Sequence, residues 1–362
     1  MNTELTKEAE PSKKSFDFID TIRCISMIGI VFEHCSVFWG LSYTNSIDTF
    51  VEVSIMQLLK FATIAFFLIS GFLINHKFQE YTPLAYLKNR FNNTIRPWII
   101  WVLIFISFNL IDRFVAYKKG SDDRIVTETF SLIGREFIDT IFFTSYWFIL
   151  NFLICIAILL LFKKHLYKIW FGLTLALISI VYSFNLYFHW FITQHSTALF
   201  GFIFYLWLGV YLNRYYDKFQ AWIKKIPVYA FVLIAVLLLI ASNLEAMYLI
   251  KLGNDDPYNT LKITNIFYSL GAFLLLLKIG NIPFLQKKFD PRNTTFGIYL
   301  VHSVVIGRLL QLVLQPLRLE YEQYSVWTNG FITLLKFILV YSASFWLTKL
   351  ILKTKVKWIV GR

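Results

Sequence analysis

The sequence predicts an all-α integral membrane protein, a bundle of about ten transmembrane helices with the N-terminus and C-terminus cytoplasmic. Of its 362 residues, 57% are hydrophobic and only 16% are charged, with a mean hydropathy of +0.59. Soluble domains carry about 25% charged residues. Apolar runs of about 17–25 residues, long enough to cross a bilayer as helices, recur along the chain. Basic residues concentrate in alternate connections between these runs, as the positive-inside rule requires.

The apolar runs define the predicted spans and the division of the chain. The break between the fifth and sixth runs, FITQHST, is weak, so nine spans are the alternative to ten. The expected spans are 18–39, 51–75, 96–115, 138–162, 168–190, 197–213, 227–249, 262–280, 294–315 and 328–351. We therefore expect a cytoplasmic N-terminal tail over 1–17, a ten-helix membrane domain over 18–353 and a basic cytoplasmic tail over 354–362.

Charge placement predicts the orientation of these spans. The expected outer loops have few basic residues, and those are mixed with acids such as Asp122, Asp123, Asp255 and Asp256. The inner segments are basic throughout: Lys13, Lys14, Lys77, Lys88, Arg90, Arg96, Lys163, Lys164, Lys168, Arg214, Lys218, Lys224, Lys225, Lys287, Lys288, Arg292, Lys349, Lys353, Lys355, Lys357 and Arg362. Such alternation is typical of a chain with both termini in the cytoplasm.

Charge and cysteine usage exclude several other classes. The formal net charge of +13 is what basic inner loops produce, so nucleic acid is not a predicted partner. Cys24, Cys35 and Cys155 lie inside apolar runs without metal-ligand spacing, so we predict neither a disulfide framework nor a metal site. The polar first fifteen residues lead into a full span without an obvious cleavage site, which favours an uncleaved anchor over a signal peptide.

The first span, IDTIRCISMIGIVFEHC, carries charges at both ends. An ionisable group inside a membrane costs several kcal/mol unless it is paired or faces a cavity. His34 follows Arg23 by eleven residues, which places it roughly 16 Å further along the helix and within about 20° of the same face. One face of the span therefore links a cation at the cytoplasmic end to an imidazole in the outer half.

Other buried charges leave two interpretations open. Lys60, Arg308 and Lys336 all fall roughly 10–13 Å inside the outer edge of their spans by the same helical rise. Either Glu33 simply pairs with Lys60 or Lys336 while the other long side chains reach the interface, or these groups line a polar pocket for a hydroxyl-bearing or anionic acceptor. His302, nearer the middle of the membrane, is either a hydrogen-bonding residue between helices or a direct participant in chemistry.

Five motifs, in order along nearly the whole chain, resemble those of membrane-bound acyltransferase family 3. Each motif alone is weak, but their order and their positions in a ten-span chain make the resemblance strong. The sequence departs from the family pattern at Thr21, at Asn92-Asn93 and at Ser303. The motifs are Asp20-Thr-Ile-Arg23 with Arg23-x10-His34, Phe66-Phe67-Leu-Ile-Ser70-Gly71-Phe72-Leu73-Ile74, Arg90-Phe-Asn-Asn-Thr-Ile-Arg96-Pro97, Trp147-Phe148-Ile-Leu150 and Tyr299-Leu-Val-His302.

The resemblance implies transfer of an acyl group, usually acetyl, across the bacterial cytoplasmic membrane. The donor would be cytoplasmic acyl-CoA, with acetyl-CoA as the expected form. The acceptor would be a cell-surface carbohydrate or its lipid-linked precursor. No metal is implied. Because the family includes proteins that carry an additional extracytoplasmic domain, a separate extracytoplasmic partner or an oligomer is also an expectation.

The same resemblance, together with side-chain chemistry, assigns roles to thirteen residues. His34 can act as a base near neutral pH or carry the acyl group, and Arg23 completes its motif. Forked guanidinium groups suit the phosphates of CoA, although basic residues at an inner boundary also follow from topology alone. The expected donor site contains Arg23, Arg90, Arg96, Ser70 and Gly71, and the expected acceptor pocket contains Glu33, Lys60, Trp147, Tyr299, His302, Arg308 and Lys336.

Two other functions compete with acyl transfer. A secondary transporter could use Glu33, Lys60, Arg308 and Lys336 as a path for substrate or protons. That class predicts inverted repeats and helices broken near the middle of the membrane, and the sequence shows neither convincingly. A non-catalytic membrane partner in the assembly of surface polymers is the third class.

Overall fold

In the computed structural model, which describes residues 16–75 and 81–362, every regular element is a helix. Most of the predicted N-terminal tail, with Lys13 and Lys14, and the predicted inner-loop residue Lys77 lie outside the described residues. The α-helices are α1 (Asp17–His34), α2 (Ser46–Gln57), α3 (Ala62–Ile74), α4 (Pro83–Arg90), α5 (Arg96–Lys118), α6 (Arg124–Thr127), α7 (Thr129–Phe143), α8 (Trp147–Leu161), α9 (Ile169–Phe188), α10 (Ile203–Arg214), α11 (Tyr216–Lys225), α12 (Val228–Lys251), α13 (Ile263–Ile279), α14 (Pro283–Phe289), α15 (Pro291–Val304), α16 (Gln311–Leu314) and α17 (Val326–Leu352).

The predicted all-helical membrane class is confirmed. The structure supports six to eight candidate spans, fewer than the ten predicted. Within the described ranges, six helical stretches are long and apolar enough to cross a bilayer: 46–74, 83–118, 169–188, 228–251, 291–317 and 326–352. Two bent helix pairs, α7 with α8 and α13 with α14, raise the number to eight. Ten spans, and the cytoplasmic placement of both termini, remain predictions.

Two predicted spans are missing from this count, because one is too charged and the other too short. Helix α1 carries Asp17, Asp20, Arg23 and Glu33 within eighteen residues, and α10 is only twelve residues long. The predicted second span is interrupted as well: α2 ends at Gln57, α3 begins at Ala62, and non-helical turns lie between them. Non-helical backbone within a membrane is tolerated only where protein surrounds it.

Helix α1 runs through the middle of the bundle. It contacts α3, α13, α15 and α17, and its apolar side chains are almost completely enclosed, with Ile22 and Val31 each 0% exposed. Charged residues on this helix are therefore surrounded by protein on most sides. Arg23 pairs with Asp20 on the same helix, and Asp20 and Glu33 also have partners on neighbouring elements.

Helices α3 and α10 pack backbone against backbone. A Cβ atom at Gly71 would lie 1.9 Å from the carbonyl oxygen of Leu206, and one at Gly209 would lie 2.0 Å from the carbonyl oxygen of Leu68. Only glycine permits this approach at both positions. Small residues at such crossings are the usual means of helix association in membranes. Gly71 thus contacts a helix, whereas the preceding Ser70 faces a cavity.

Two π-helical turns interrupt the helices near the predicted motifs. One covers Phe91–Ile95, between Arg90 and Arg96, and the other covers Val305–Leu310, directly after α15. Such turns shift the register of the side chains that follow them and occur often at functional sites. Here the first turn sets the register of Arg96 relative to Arg90, and the second sets that of the residues that follow α15.

The α3–α10 crossing leads to a testable prediction for Gly71→Ala. The added methyl group clashes with the Leu206 carbonyl unless the helices separate, and overpacking of this kind costs about 1–3 kcal/mol. The melting temperature of the detergent-solubilised protein should fall clearly. Gly134→Ala is the matched control, because Gly134 is also helical and a Cβ there meets nothing within 4 Å. Equal melting temperatures for the two variants would contradict the packing described.

Candidate active site

A cavity of about 790 Å³ opens beside the N-terminal half of α1. Its volume is in the usual range for small-molecule and cofactor sites. Four arginines line it, and two of them, Arg292 and Arg362, were predicted only as inner-segment charges. Deeper in, the lining is apolar and aromatic. The cavity therefore suits a ligand with an anionic part and a less polar arm. The four arginines are Arg23, Arg90, Arg292 and Arg362, and the apolar residues include Met27, Ile30, Phe66, Phe148 and Phe152.

Asp20 organises the arginines of α1 and α15. Its carboxylate accepts a hydrogen bond from Arg23 at 2.6 Å and another from Arg292 at 3.1 Å. One acid thus holds two guanidinium groups near the cavity without neutralising both. Arg90 is fixed separately, because its Nε donates to the hydroxyl of Tyr86 at 2.9 Å. The arrangement leaves excess positive charge on the cavity wall.

The C-terminal segment completes the same wall. A short helical turn over Lys357–Val360 packs against α5, α15 and α17, and Trp101 donates from its Nε1 to the carbonyl oxygen of Ile359 at 2.9 Å. Gly361 and Arg362 line the cavity. The segment that the sequence predicts as a plain basic tail therefore contributes a cation to the candidate site.

Arg96 lies apart from the cavity lining. Its guanidinium carbon is 3.9 Å from the centroid of the Trp358 ring, a close cation–π contact. Trp358 belongs to the C-terminal turn that also carries Arg362. Arg96 is thus placed to hold that turn, and Arg23, Arg90, Arg292 and Arg362 are the guanidinium groups at the cavity.

The predicted row of residues along α1 leads from this cavity toward the histidines. Arg23, Met27 and Ile30 line the cavity, and His34 is the next residue in the same row of alternating four- and three-residue steps. The His34 ring centroid is 5.4 Å from that of His302 on α15. The helix face shared by Arg23 and His34 therefore runs from the cavity lining to the histidines, and α15 supplies a second imidazole at its end.

His302 is fully buried and has a defined orientation. Its Nδ1 lies 2.7 Å from the carbonyl oxygen of Tyr299 and 3.2 Å from that of Ile298. Because a carbonyl can only accept, we assign the ring proton to Nδ1. Nε2 then carries a free lone pair, and it has no hydrogen-bond partner among the described residues. His34 beside it is exposed in the structure, so the pair joins an exposed imidazole to a buried one.

Tyr299 connects the cavity to the histidine pair. It lines the cavity, is only 4% exposed, and donates its hydroxyl to the carbonyl oxygen of Ser145 at 2.5 Å. Its ring centroid is 6.0 Å from that of His302. A ligand that extends from the arginines along the apolar part of the cavity would reach this tyrosine before the imidazoles.

Glu33 forms an ion pair with Lys60, which is 1% exposed at its side chain. Of the two partners expected for Glu33, Lys60 is the one that it contacts. Lys60 lies in the turns between α2 and α3, and its Nζ is 5.9 Å from the centroid of Trp39. A buried pair of this kind is strongly destabilised when one partner is removed, because the other charge is left uncompensated.

Arg308 and Lys336 contact groups other than the Glu33–Lys60 pair. Arg308 donates to Asp112 and, at 2.8 Å, to Asn109, so it links the π-helical turn after α15 to α5. The Nζ of Lys336 is 5.6 Å from the centroid of the Tyr321 ring. The structure thus pairs Glu33, the neighbour of His34, with Lys60, whereas Arg308 and Lys336 contact other groups.

A histidine–aspartate pair that the sequence did not indicate lies near the same end of α1. Asp256 accepts from Nδ1 of His195 at 3.0 Å, from its backbone N–H at 3.3 Å and from Asn259 at 2.9 Å. The His195 ring meets Trp147 edge to face at 5.6 Å between centroids. Burial alone would raise the pKa of Asp256, but His195 and then Lys60 hold that pKa below its ordinary value. The two partners are 61 positions apart, so no local spacing predicts them.

Comparison with known proteins agrees with this arrangement of motifs. Residues 16–352 match the model of a family described as an acyltransferase domain. A probable poly-beta-1,6-N-acetyl-D-glucosamine export protein of Staphylococcus aureus (strain MRSA252) is 24% identical over 281 residues, which cover 72% of this chain and 73% of that protein. No solved structure matches the chain.

The Glu33–Lys60 pair leads to a double-mutant prediction. Glu33→Gln or Lys60→Met alone leaves a buried charge unpaired and should destabilise the protein by about 3–5 kcal/mol. The double variant removes both charges, so it should be more stable than the sum of the two single losses implies. Chemical or thermal unfolding in detergent measures each value. Additive losses in the double variant would show that the pair contributes nothing as a pair.

Proposed function

Because the chain belongs to acyltransferase family 3, whose members are multi-pass membrane proteins, we propose that it moves an acyl group from cytoplasmic acyl-CoA to a carbohydrate hydroxyl. The acyl group proposed is acetyl, and the carbohydrate is extracytoplasmic or lipid-linked. One observation carries the proposal: the row from Arg23 through Met27 and Ile30 to His34 joins an arginine-lined cavity to a pair of imidazoles.

The donor fits the cavity in two parts. The phosphates of CoA would meet Arg23, Arg90, Arg292 and Arg362, since guanidinium groups bind phosphate through paired hydrogen bonds. The less polar arm would lie along the apolar lining and bring the thioester carbonyl toward Tyr299. The arginines bind and orient the donor, while the aromatic walls keep water away from the thioester.

The proposed reaction is direct transfer with His34 as the base. The accessible imidazole of His34 takes the proton from the acceptor hydroxyl as its oxygen attacks the thioester carbonyl. The carbon–sulfur bond then breaks, and the CoA sulfur leaves with the proton returned by the imidazole. His302, held through its Nδ1–H, presents a second lone pair beside His34 and supports the proton transfer. An acyl-His34 intermediate is the alternative form of the same step.

The outer groups would bind and orient the acceptor. The Glu33–Lys60 pair and the His195–Asp256 pair place hydrogen-bonding groups near the end of α1 that carries His34. The staphylococcal relative is named for a β-1,6-linked N-acetylglucosamine polymer. We therefore propose a hexosamine polymer or its precursor as the acceptor class.

We also propose that α1 and α10 cross the membrane inside the bundle. With them, the six apolar stretches and the two bent pairs give ten spans. Protein rather than lipid surrounds the charges of α1, so the hydropathy of this helix understates its depth. Ten spans with basic inner segments place both termini and the arginine-lined cavity at the cytoplasmic face.

Export is a second candidate function, favoured by two observations. The staphylococcal relative is named as a probable export protein. In addition, the turns between Gln57 and Ala62 interrupt a stretch long enough to span a membrane, as in many transporters. Quantifying both surface polymer and its acyl content separates the candidates. Deletion should leave the amount of polymer and remove its ester-linked acyl groups if the chain transfers acyl groups to hydroxyls. Loss of the polymer itself would support export.

The histidine pair provides the direct test of the chemistry. His34→Ala should abolish transfer of radiolabelled acetyl from acetyl-CoA to the acceptor, because the base is gone. His302→Ala should reduce the rate by about 10²–10⁴, the usual contribution of one acid–base group. His165→Ala is the control, because His165 contacts Trp170 away from the cavity and should transfer normally. Near-normal transfer by His34→Ala, with the protein inserted and folded, would refute the proposed role.

The arginines provide a separate test of donor binding. Arg292→Ala and Arg362→Ala should each raise the KM for acetyl-CoA about tenfold or more, since each loses a charge-assisted contact to phosphate. The KM for the acceptor should not change. Arg135→Ala is the matched control, because Arg135 is half-exposed on α7 and pairs with Glu128. A donor KM that responds equally in all three variants would argue against a donor site at this cavity.

A further inference from the structure

A second cavity, of about 420 Å³, lies at the other end of α1 from the arginines. It is formed by the connection between α1 and α2, the first turns of α2, and the connection after α12. None of the motifs along the chain refers to it. The connection that forms one of its walls begins directly after His34, at the end of α1.

The lining of this cavity combines aromatic rings with carboxylates. Trp39 is 47% exposed and meets the ring of Tyr258 edge to face at 5.8 Å between centroids. The Tyr258 hydroxyl donates to Oε1 of Glu52 at 2.7 Å, and Glu52 is only 3% exposed. Tyr43 and Asp255 complete a wall that holds rings, hydroxyl groups and acids together.

We propose that this cavity is a saccharide subsite, which binds a sugar unit of the acceptor next to the unit that is acylated. The proposal rests on the proposed acyl transfer and names where its acceptor is held. Flat pyranose faces carry C–H groups that pack on Trp and Tyr rings, and their hydroxyls need carboxylate and hydroxyl partners. An amino sugar would in addition be attracted by Glu52 and Asp255.

The chemistry of the lining favours a sugar over a lipid or a phosphate. A lipid tail does not require a buried carboxylate fixed by a tyrosine, because that polar pair would gain no partner from hydrocarbon. A phosphate would be repelled by Glu52 and Asp255, with Lys251 as the lining cation. Aromatic rings with a few fixed polar groups are the usual means of orienting a polar, ring-shaped ligand.

Trp39 connects the cavity to the candidate active site. Its ring centroid lies 5.9 Å from Nζ of Lys60, which is paired with Glu33, the residue preceding His34. A sugar on Trp39 would therefore be one side chain away from the charge pair beside the base. The neighbouring sugar unit of the same chain would present its hydroxyl to His34.

Oligosaccharide binding to the full-length protein in detergent tests the subsite without any donor. The probe is a β-1,6-linked N-acetylglucosamine pentasaccharide, with chitopentaose and maltopentaose as comparisons, measured by calorimetry. Trp39→Ala and Glu52→Gln should each weaken binding about tenfold or more. Trp327→Ala is the control, because Trp327 is 68% exposed on α17 and should bind like wild type. Melting temperatures identify any variant that fails to fold. Trp39→Phe keeps an aromatic ring and should retain most of the affinity that Trp39→Ala loses.

Kinetics with acetyl-CoA separate the subsite from the proposed reaction. Trp39→Ala should raise the KM for the oligosaccharide while the KM for acetyl-CoA stays the same. If wild type binds none of the three oligosaccharides, or if the folded Trp39→Ala and Glu52→Gln variants bind as tightly as wild type, the subsite is wrong. If wild type binds the pentasaccharide through these residues but transfers no acyl group, the subsite stands and the proposed reaction fails.

Discussion

The need to compensate charge inside an apolar bundle is the constraint on which the rest of this structure depends. Helix α1 carries acids and bases at both ends through a region where an isolated charge costs several kcal/mol. Asp20 forms ion pairs with Arg23 and Arg292 at one end, and Lys60 forms an ion pair with Glu33 at the other. Arg292 lies on α15 and Lys60 in the turns between α2 and α3, so these two ion pairs fix the positions of both elements against α1.

Close backbone packing then sets the geometry around that central helix. Gly71 and Gly209 let α3 and α10 approach until each backbone meets the other, and this crossing places Ser70 on the cavity side of α3. The C-terminal turn is held from α5 through Trp101 and Arg96. As a result, residues from the beginning and the very end of the chain form one wall, with Arg23 and Arg362 facing the same cavity.

In the proposed reaction, the two cavities at opposite ends of α1 would let one helix serve two substrates of different chemistry. An anionic donor suits the arginine-lined end, and a hydroxyl-rich acceptor suits the aromatic and acidic end. Between them lie the accessible His34 and the buried His302. In the proposed reaction, separate approaches would keep the thioester from water until an acceptor hydroxyl is in place, which would favour transfer over hydrolysis. The mixed charges that make α1 a poor hydrophobic span are, in this proposal, the groups that make it an axis of transfer.

The sequence by itself determined the all-helical membrane class, the family and the shared face of Arg23 and His34, because hydropathy, motif order and helical periodicity are local properties. The sequence also named two candidate partners for Glu33, Lys60 and Lys336, and Lys60 is the one found in the structure. The tertiary structure decided which distant groups meet. It brought Arg292 and Arg362 to Arg23, His195 to Asp256 and Trp39 to Tyr258, and it gave Arg96, Arg308 and Lys336 other partners. Those contacts join residues far apart in the chain, and they follow from how helices cross and where connections turn, which no local spacing records.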